Sequence, residues 1–318
     1  MPYLSLVIPV YNERENLPIL FDAVHRAIDP LNLDWELIFV DDGSTDNSLS
    51  VLKELVEKDP THLKVVVFRR NFGQTAAIAA GIDNTTGEVV VLLDADMQND
   101  PADIPMLLDK LNDGYDVVSG WRKERKDNAV TRNLPSHMAN RLISWVTGVK
   151  LHDYGCTLKA YRREVLGGFR LYGEMHRFIP VYASSVGAKI TEVPVNHYPR
   201  KFGKTKYGLE RTAKVVLDLF TVKFLVAYSS KPIYLFGGTG IGLMLVSALT
   251  LLVIAIRRVF YDISVLGSPF FQIGVMFFVL GFQSILMGLI AELLVRTYHE
   301  AQGKKTYTIR EVIGKTEK

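Results

Sequence analysis

Two long apolar segments near the C-terminus set the strongest limit on how this chain can fold. Residues 232–256 and 267–291 contain no Asp, Glu, Lys or Arg. About 20 apolar residues let a helix cross a bilayer, and neither segment has a polar face that could meet water. The pattern predicts two transmembrane helices, residues 232–256 and 267–295. A pair of helices buried in a soluble domain is the weaker alternative.

The segments that flank this hairpin are rich in Lys and Arg. By the positive-inside rule both flanks are cytoplasmic, so residues 296–318 form a cytoplasmic tail and the protein is integral to the cell's inner (plasma) membrane. Residues 207–231 carry apolar side chains at helical spacing with charged side chains, most of them basic, between them. This spacing favours amphipathic juxtamembrane helices on the bilayer surface, although a helix packed against the soluble domain is also compatible with it.

Composition excludes several classes of protein. The chain has 318 residues, of which 22% are charged, and a formal net charge of only +3, which gives no case for nucleic-acid binding. Its single cysteine, Cys156, cannot form an internal disulfide. No Cys/His cluster is present that could hold structural zinc.

The first 206 residues alternate short β-rich runs with helical patterns. Leu17, Leu20, Phe21, Val24 and Ile28 mark one face of a helix between the first two runs. Such alternation predicts an α/β domain with a mostly parallel sheet covered on both faces. The predicted strands are Leu4 to Val10, Leu37 to Val40, Val65 to Phe68, Val89 to Leu93, and Val117 with Val118.

Polar residues appear where these strands stop, which is where open α/β sheets bind ligands. Asp41 and Asp42 follow the second strand, and Asp94 and Asp96 follow the fourth. Residues i and i+2 of an extended chain project to the same side, so Asp94 and Asp96 are expected to face one space. Two close carboxylates repel unless a cation joins them. Oxygen ligands suit Mg²⁺ or Mn²⁺, and Gln98 is a third ligand if the extended geometry continues.

Four motifs, taken in order, resemble glycosyltransferase family 2 with its nucleotide-binding GT-A fold. They are Pro-Val-Tyr-Asn-Glu at 9–13, Val-Asp-Asp-Gly-Ser-Thr-Asp at 40–46, Arg-Asn-Phe-Gly at 70–73 and Asp-Ala-Asp at 94–96. The segment 153–163, Asp-Tyr-Gly-Cys-Thr-Leu-Lys-Ala-Tyr-Arg-Arg, and the two C-terminal spans narrow the resemblance to polyisoprenyl-phosphate glycosyltransferases. That group includes dolichol-phosphate mannose synthase and the bacterial bactoprenol glucosyltransferases.

The resemblance implies a role for each matching residue. Asp94, Asp96 and Asp153 are the implied catalytic residues, and Asp94, Asp96 and Gln98 the implied metal ligands. The implied nucleotide-sugar site comprises Pro9, Tyr11, Glu13, Asp41, Asp42, Gly73 and Asp94. The implied acceptor-phosphate site comprises Arg122, Arg132, Ser136, Arg200 and Lys206, although a basic loop near a membrane also binds anionic lipid.

The implied reaction is inverting transfer of a hexose from a nucleotide sugar, with UDP-glucose favoured, to undecaprenyl phosphate. A phosphate oxygen is already anionic, so Asp153 can orient or bind instead of acting as a base. GDP-mannose with a dolichol-type or other polyprenyl phosphate is the alternative pair, and a non-catalytic scaffold or lipid translocator is the alternative class. The Gln-x-x-Arg-Trp motif of processive synthases is missing.

Glycines in the two spans predict close helix packing and a homo-oligomer. Gly274, Gly281 and Gly288 recur every seven residues in the second span, and Gly238 and Gly242 form a small-xxx-small pair in the first. Analogy with the bactoprenol glucosyltransferases implies a tetramer.

Overall fold

The computed structural model describes residues 2–123, 134–167, 171, 175–200, 202, 233–261, 264–265, 268–301 and 307–314. The chain divides into two compact units. The soluble unit comprises residues 1–222 together with 305–318, and the hairpin unit comprises residues 223–304. The second part of the soluble unit therefore lies beyond the hairpin in sequence.

The soluble unit begins with β-strands and α-helices in alternation. All five predicted face residues of the first helix, Leu17 to Ile28, are buried against the sheet. The elements in order are β1 (Leu4–Val10), α1 (Leu17–Ile28), β2 (Trp35–Asp41), α2 (Ser48–Lys58), β3 (Leu63–Phe68), α3 (Gln74–Asp83), β4 (Val89–Leu92), α4 (Ile104–Asn112), β5 (Val117–Trp121), α5 (Leu134–Thr147), β6 (Lys159–Arg162), α6 (Ile179–Ser185) and β7 (Ile190–Pro194).

These strands form one sheet in the order β7-β5-β6-β4-β1-β2-β3, to which a last strand adds at the β3 edge. β1 pairs in parallel with both β2 and β4, and β2 with β3, whereas β6 runs antiparallel between β4 and β5. The predicted α/β fold with a mostly parallel sheet is confirmed. The core is the set of apolar side chains between the central strands and helices α1, α2 and α4.

The last strand, β8 (Ile309–Gly314), comes from the segment that the charge pattern describes only as a cytoplasmic tail. It pairs antiparallel with β3, with Lys64 opposite Gly314. Tyr307 precedes β8, is buried, stacks on Phe68 at 5.3 Å and donates a hydrogen bond of 2.6 Å to Asp83. The six residues of β8 lie far from every other strand in sequence, and no local pattern in them indicates which strand they pair with.

The hairpin unit contains two long helices, α7 (Ile233–Tyr261) and α8 (Pro269–Ala301). Their apolar stretches, Leu235–Tyr261 and Pro269–Ala291, are long enough to cross a membrane. Both helices end later than predicted from the apolar runs. Arg257 and Arg258 therefore lie in the last turns of α7. Positive charge is favourable there because the C-terminal end of a helix carries partial negative charge.

Glycine backbones and hydroxyl groups make the contact between α7 and α8. A Cβ on Gly240 would lie 2.6 Å from the carbonyl oxygen of Gly281, so only glycine permits this approach. Ser247 donates a hydrogen bond of 2.7 Å to the carbonyl of Gly274 across the helix pair. By contrast, a Cβ on Gly238 would meet nothing within 4 Å, and the same holds for Gly242. The predicted small-xxx-small pair therefore faces away from the helix contact within one chain.

Candidate active site

The carboxyl ends of β1, β2 and β4 meet at one edge of the sheet, because the three strands run parallel. Val10 lies opposite Asp41, and Val7 lies opposite Leu92, which is two residues before Asp94. The three polar segments that the sequence singled out are thus brought to the same edge by strand register alone.

Asp42 is buried and holds the loop before α3. Its carboxylate accepts hydrogen bonds from the backbone N–H groups of Phe72 at 2.6 Å and Gly73 at 2.9 Å. Gly73 has φ +95°, a conformation that other residues rarely adopt. Burial raises the pKa of Asp42 to about 6, although both N–H groups act in the opposite direction. Its neighbour Asp41 accepts the Ser44 N–H at 3.2 Å, and burial raises its pKa also.

The segment after β1 is fixed to the turn after β2. Pro9 lies near the end of β1, opposite Val40, and Tyr11 follows as a half-buried residue. Glu13 is buried, its N–H donates to the Ser48 hydroxyl at 3.0 Å, and its carboxylate accepts from Asn16 at 2.7 Å. The Asp42 N–H also donates to the Val10 carbonyl at 2.8 Å, so the segment that carries Pro9, Tyr11 and Glu13 runs beside Asp41 and Asp42.

Asp94 and Asp96 lie close enough for their charges to interact. Burial first and the charge of Asp96 second raise the pKa of Asp94. Asp94 accepts hydrogen bonds from the Gln74 amide at 2.7 Å and from the Thr157 hydroxyl at 2.6 Å. Asp96 is buried and forms an ion pair with Arg200 at 2.6 Å. The two carboxylates therefore have different partners: neutral donors hold Asp94, and a cation holds Asp96.

The extended geometry assumed for Gln98 does not continue through this segment. β4 ends at Leu92, residues 95 and 96 form a turn, and Met97 has φ +58°. The Gln98 N–H donates to Asp96 at 3.1 Å, while its side-chain amide points to the carbonyl of Tyr198 at 3.5 Å. The simple i, i+2, i+4 argument for a third ligand therefore fails at Met97.

Arg122 and Asp153, which the resemblance placed in different roles, form a buried ion pair. Nε and Nη2 of Arg122 donate to the two carboxylate oxygens at 2.7 and 3.0 Å. Burial by itself lowers the pKa of Arg122, but the Asp153 charge outweighs it and the pKa is raised. The Arg122 charge also acts to lower the pKa of Asp94. Arg122 is thus bonded to Asp153 and interacts electrostatically with Asp94.

Several buried residues near the site were not predicted from the sequence. Lys159 is buried beneath the Asp153 segment and donates to the carbonyls of Tyr154, at 3.2 Å, and Cys156. Burial lowers its pKa to about 8. Thr75 and His176, 101 residues apart, share a hydrogen bond of 2.7 Å. Of these residues, only Thr157 and Lys159 could have been suspected from the sequence, because both lie within the motif at 153–163.

Part of the predicted acceptor-phosphate site lies outside the described residues. Arg132 and Lys206 belong to that part. Ser136 lies in the first turn of α5, and its side chain is not described. Arg122 and Arg200 are described, and both pair with carboxylates of the site.

A mostly parallel sheet with two carboxylates beyond the carboxyl end of one strand has its polar groups at the edge where open α/β sheets bind ligands. The sequence matches the family described as Glycosyl transferase family 2 over residues 5–169, and the chain belongs to this family. It is a glycosyltransferase.

Curated relatives match almost the whole chain. A dodecaprenyl-phosphate galacturonate synthase of Rhizobium johnstonii is 41% identical over 97% of this chain and 92% of its own length. An undecaprenyl-phosphate 4-deoxy-4-formamido-L-arabinose transferase of an Enterobacter species is 38% identical over 98% of this chain and 94% of its own.

The fold is similar to that of glucosyl-3-phosphoglycerate synthase from Mycobacterium tuberculosis. A crystal structure of that enzyme with Mn²⁺, uridine diphosphate and phosphoglyceric acid aligns with a TM-score of 0.53 at 19% identity, covering 71% of this chain and 78% of that one. This likeness supports the GT-A type of fold.

Proposed function

We propose that this protein transfers a sugar from a nucleoside diphosphate sugar to a polyprenyl phosphate at the membrane surface. The observation that carries the proposal is the carboxylate pair Asp94 and Asp96 at the carboxyl edge of the sheet, beside Asp41 and Asp42. The two relatives described above are named for sugar transfer to dodecaprenyl and undecaprenyl phosphate. Their matches extend through the two apolar helices.

The donor set of the carboxylate pair fits Mg²⁺ or Mn²⁺. No group of three or more His, Cys, Asp or Glu side chains suited to a metal occurs among the described residues. Mg²⁺ commonly binds one or two carboxylates and takes its remaining ligands from phosphate and water. Asp94 and Asp96 would hold such an ion, and the family resemblance alone still implies Gln98 as a third ligand. When bound, the ion would neutralise the departing nucleoside diphosphate.

Residues of this chain do the remaining work of bringing two anionic substrates together. The acceptor phosphate oxygen is anionic and needs no strong base. Because Asp153 already accepts two hydrogen bonds from Arg122, we assign it to holding that guanidinium in place. Arg122 then offsets the negative charge of the acceptor phosphate together with Arg132 and Lys206, and the Ser136 hydroxyl would donate a hydrogen bond to it. Arg200, now paired with Asp96, is the predicted phosphate ligand that must exchange partners.

For the donor we place UDP-galacturonate first, because the 41% identical relative is named a galacturonate synthase. UDP-glucose, favoured by the sequence analysis, and GDP-mannose remain in the test. In each case Pro9, Tyr11, Glu13, Asp41, Asp42 and Gly73 form the nucleotide pocket.

The membrane arrangement follows from the order of the chain. β3 and β8 lie on either side of the hairpin in sequence but pair in one sheet. If α7 and α8 both span the bilayer, both ends of the hairpin open to the same side. We assign that side to the cytoplasm and the bilayer to the inner membrane, in accord with the basic flanks.

The face of α8 that points away from α7 carries side chains that favour a homo-oligomer. Gln272 and Gln283 lie 11 residues apart on the helix face opposite Gly274 and Gly281, and both are exposed. Neither amide has a hydrogen-bond partner among the described residues, and an amide within a bilayer favours a partner on another helix. Cross-linking in native membranes would show the oligomer, and loss of cross-linking in Gln283→Leu would place its contact on this face.

The test is transfer of radiolabelled sugar to undecaprenyl phosphate in detergent, with UDP-galacturonate, UDP-glucose or GDP-mannose as donor. Each donor is assayed with Mg²⁺, with Mn²⁺ and with EDTA. We expect labelled lipid from one donor, and EDTA to prevent its formation. If a donor is consumed and the lipid stays unlabelled, the acceptor is wrong. If labelling continues at full rate in EDTA, the metal assignment is wrong.

A further inference from the structure

In the C-terminal half of helix α5, two polar side chains, Asn140 and Ser144, face the protein, and two large apolar side chains, Leu142 and Trp145, face outward. Asn140 is buried and donates to the carbonyl of His152 at 2.7 Å. Ser144 donates to the carbonyl of Leu151 at 3.2 Å, and Ile143 is buried beside it. These residues share one helix face, since they are three or four positions apart. The inward face is therefore anchored next to the segment that carries Asp153.

The opposite face of α5 carries Leu142 and Trp145, which are 41% and 82% exposed. Trp145 is the most exposed large hydrophobic side chain among the described residues of the soluble unit. Exposed cations, Arg141 and Lys150, lie on either side of it in sequence. A helix meant for water would have the reverse arrangement.

We propose that this face of α5, Leu142 and Trp145 with Arg141, together with Lys150 just beyond the helix, contacts the phospholipid surface next to the acceptor site. Tryptophan favours the interface because its ring is apolar and its N–H can reach water or a headgroup. Lys and Arg beside it are attracted to anionic headgroups. The bilayer is the favoured occupant because the same chain carries two apolar helices long enough to cross one.

The position of α5 links this contact to the acceptor side of the site. Its inward hydrogen bonds go to residues 151 and 152, directly before Asp153. A bilayer contact at Trp145 would hold the acceptor side of the site at the depth of a lipid phosphate. Val186, which is 62% exposed, lies just before β7, at the amino end of that strand and so at the opposite edge of the sheet. It provides a matched exposed apolar residue away from the proposed contact.

Fluorescence of the full-length protein in nanodiscs made with brominated lipids tests the contact directly. The chain has only three tryptophans; Trp35 is buried and stacked on His62, and Trp121 is stacked on His152. Bromine quenches a ring only when the two are in contact, so Trp145 should supply most of the quenching. We expect Trp145→Phe to lose it. Equal quenching in the wild type and in Trp145→Phe would overturn the proposal, as would quenching in neither.

A second measurement asks whether the contact serves the acceptor. We expect Trp145→Ala to raise the KM for polyprenyl phosphate in vesicles by about tenfold, with an unchanged donor KM, because a large apolar side chain leaves the bilayer. Val186→Ala should change neither value. An equal rise in donor KM would show a folding defect and not a membrane contact. This readout rests on the proposed function, whereas the quenching does not, so the two can fail separately.

If Trp145 is shielded from water but not quenched, and a Trp145→Cys variant forms disulfide cross-links between copies, the face is an interface with a second copy. That outcome also overturns the bilayer contact.

Discussion

In the soluble unit, partners from distant segments hold the buried carboxylates of the site, whereas in the hairpin two helices meet through glycine backbones and hydroxyl groups. Asp94 is held from residues 74 and 157, and Asp42 from residues 72 and 73. Gly240 and Gly281 instead contact each other directly. Hydrogen bonds to charged groups therefore order the site of the soluble unit, whereas side-chain size limits the helix packing of the hairpin. A substitution that removes a charge should therefore affect the soluble unit, and one that adds volume at a glycine should affect the hairpin.

The largest effect is expected from removing a charge in the soluble unit. Asp96→Ala should lower sugar transfer by about 10²–10³-fold, because one of two carboxylates for the metal is lost. The protein should stay folded and in the membrane fraction. Asp113→Ala, which removes an exposed carboxylate paired with Lys110, is the control and should transfer normally. Near-normal turnover in Asp96→Ala would exclude this residue from the metal site.

A single added methyl group should act on the hairpin instead. Gly281→Ala places a Cβ 2.7 Å from the Gly240 carbonyl oxygen, so the helices must separate. Thermal unfolding in nanodiscs should show a loss of about 1–3 kcal/mol in stability. Gly238→Ala should cost less, since nothing lies within 4 Å of its Cβ position. Equal losses in the two variants would mean that the contact between α7 and α8 is looser than described.

A pH titration distinguishes the stability of the soluble unit from its activity. Burial raises the pKa of Asp42 from 3.8 to about 6, so protonation favours the folded state. Its contribution to stability is full below pH 3.8 and is lost as the pH rises through 6.

Activity should move in the opposite direction, because a protonated Asp42 holds the Phe72 and Gly73 N–H groups less well. Donor kcat/KM should fall about tenfold from pH 7 to pH 5. In Asp42→Asn the acid limb attributable to this residue should vanish. An unchanged pH profile would assign that limb to another carboxylate, with Asp94 the first to examine.

The smallest effect is expected where the C-terminal segment joins the sheet. Tyr307→Phe keeps the ring stacked on Phe68 but removes the hydrogen bond to Asp83. Chemical unfolding of the soluble unit should show a loss of about 1 kcal/mol. Tyr3→Phe, which removes an exposed bond of 3.3 Å to Asn112, should cost less. The reverse order would mean that Tyr307 adds little to the attachment of the segment.

Local patterns were enough to predict the strands of the first half and the helix face Leu17 to Ile28, because burial there repeats with the period of the element. They also predicted that Asp41, Asp42, Asp94 and Asp96 lie at one edge of the sheet, because the carboxyl ends of parallel strands meet at the same edge. Partners far apart in sequence could not be found this way. The pairing of Arg122 with Asp153, of Arg200 with Asp96 and of β8 with β3 depends on the folded chain alone.

Glycine spacing shows the same limit. The repeat at Gly274 and Gly281 does predict a packing face, but periodicity cannot tell a contact within the chain from one between chains. The structure uses that face inside the hairpin, and it leaves Gly238 and Gly242 outside it.

The attachment of β8 also fixes an order of events during synthesis. The ribosome makes both apolar helices after β3 and before β8. Until β8 emerges, β3 has an open edge with unpaired N–H and C=O groups, which is a site for wrong pairing. The enzyme therefore completes its sheet only after its two long apolar helices have been made. A nascent chain arrested after α8 should expose this edge to chaperones, and release of the last strand should close it.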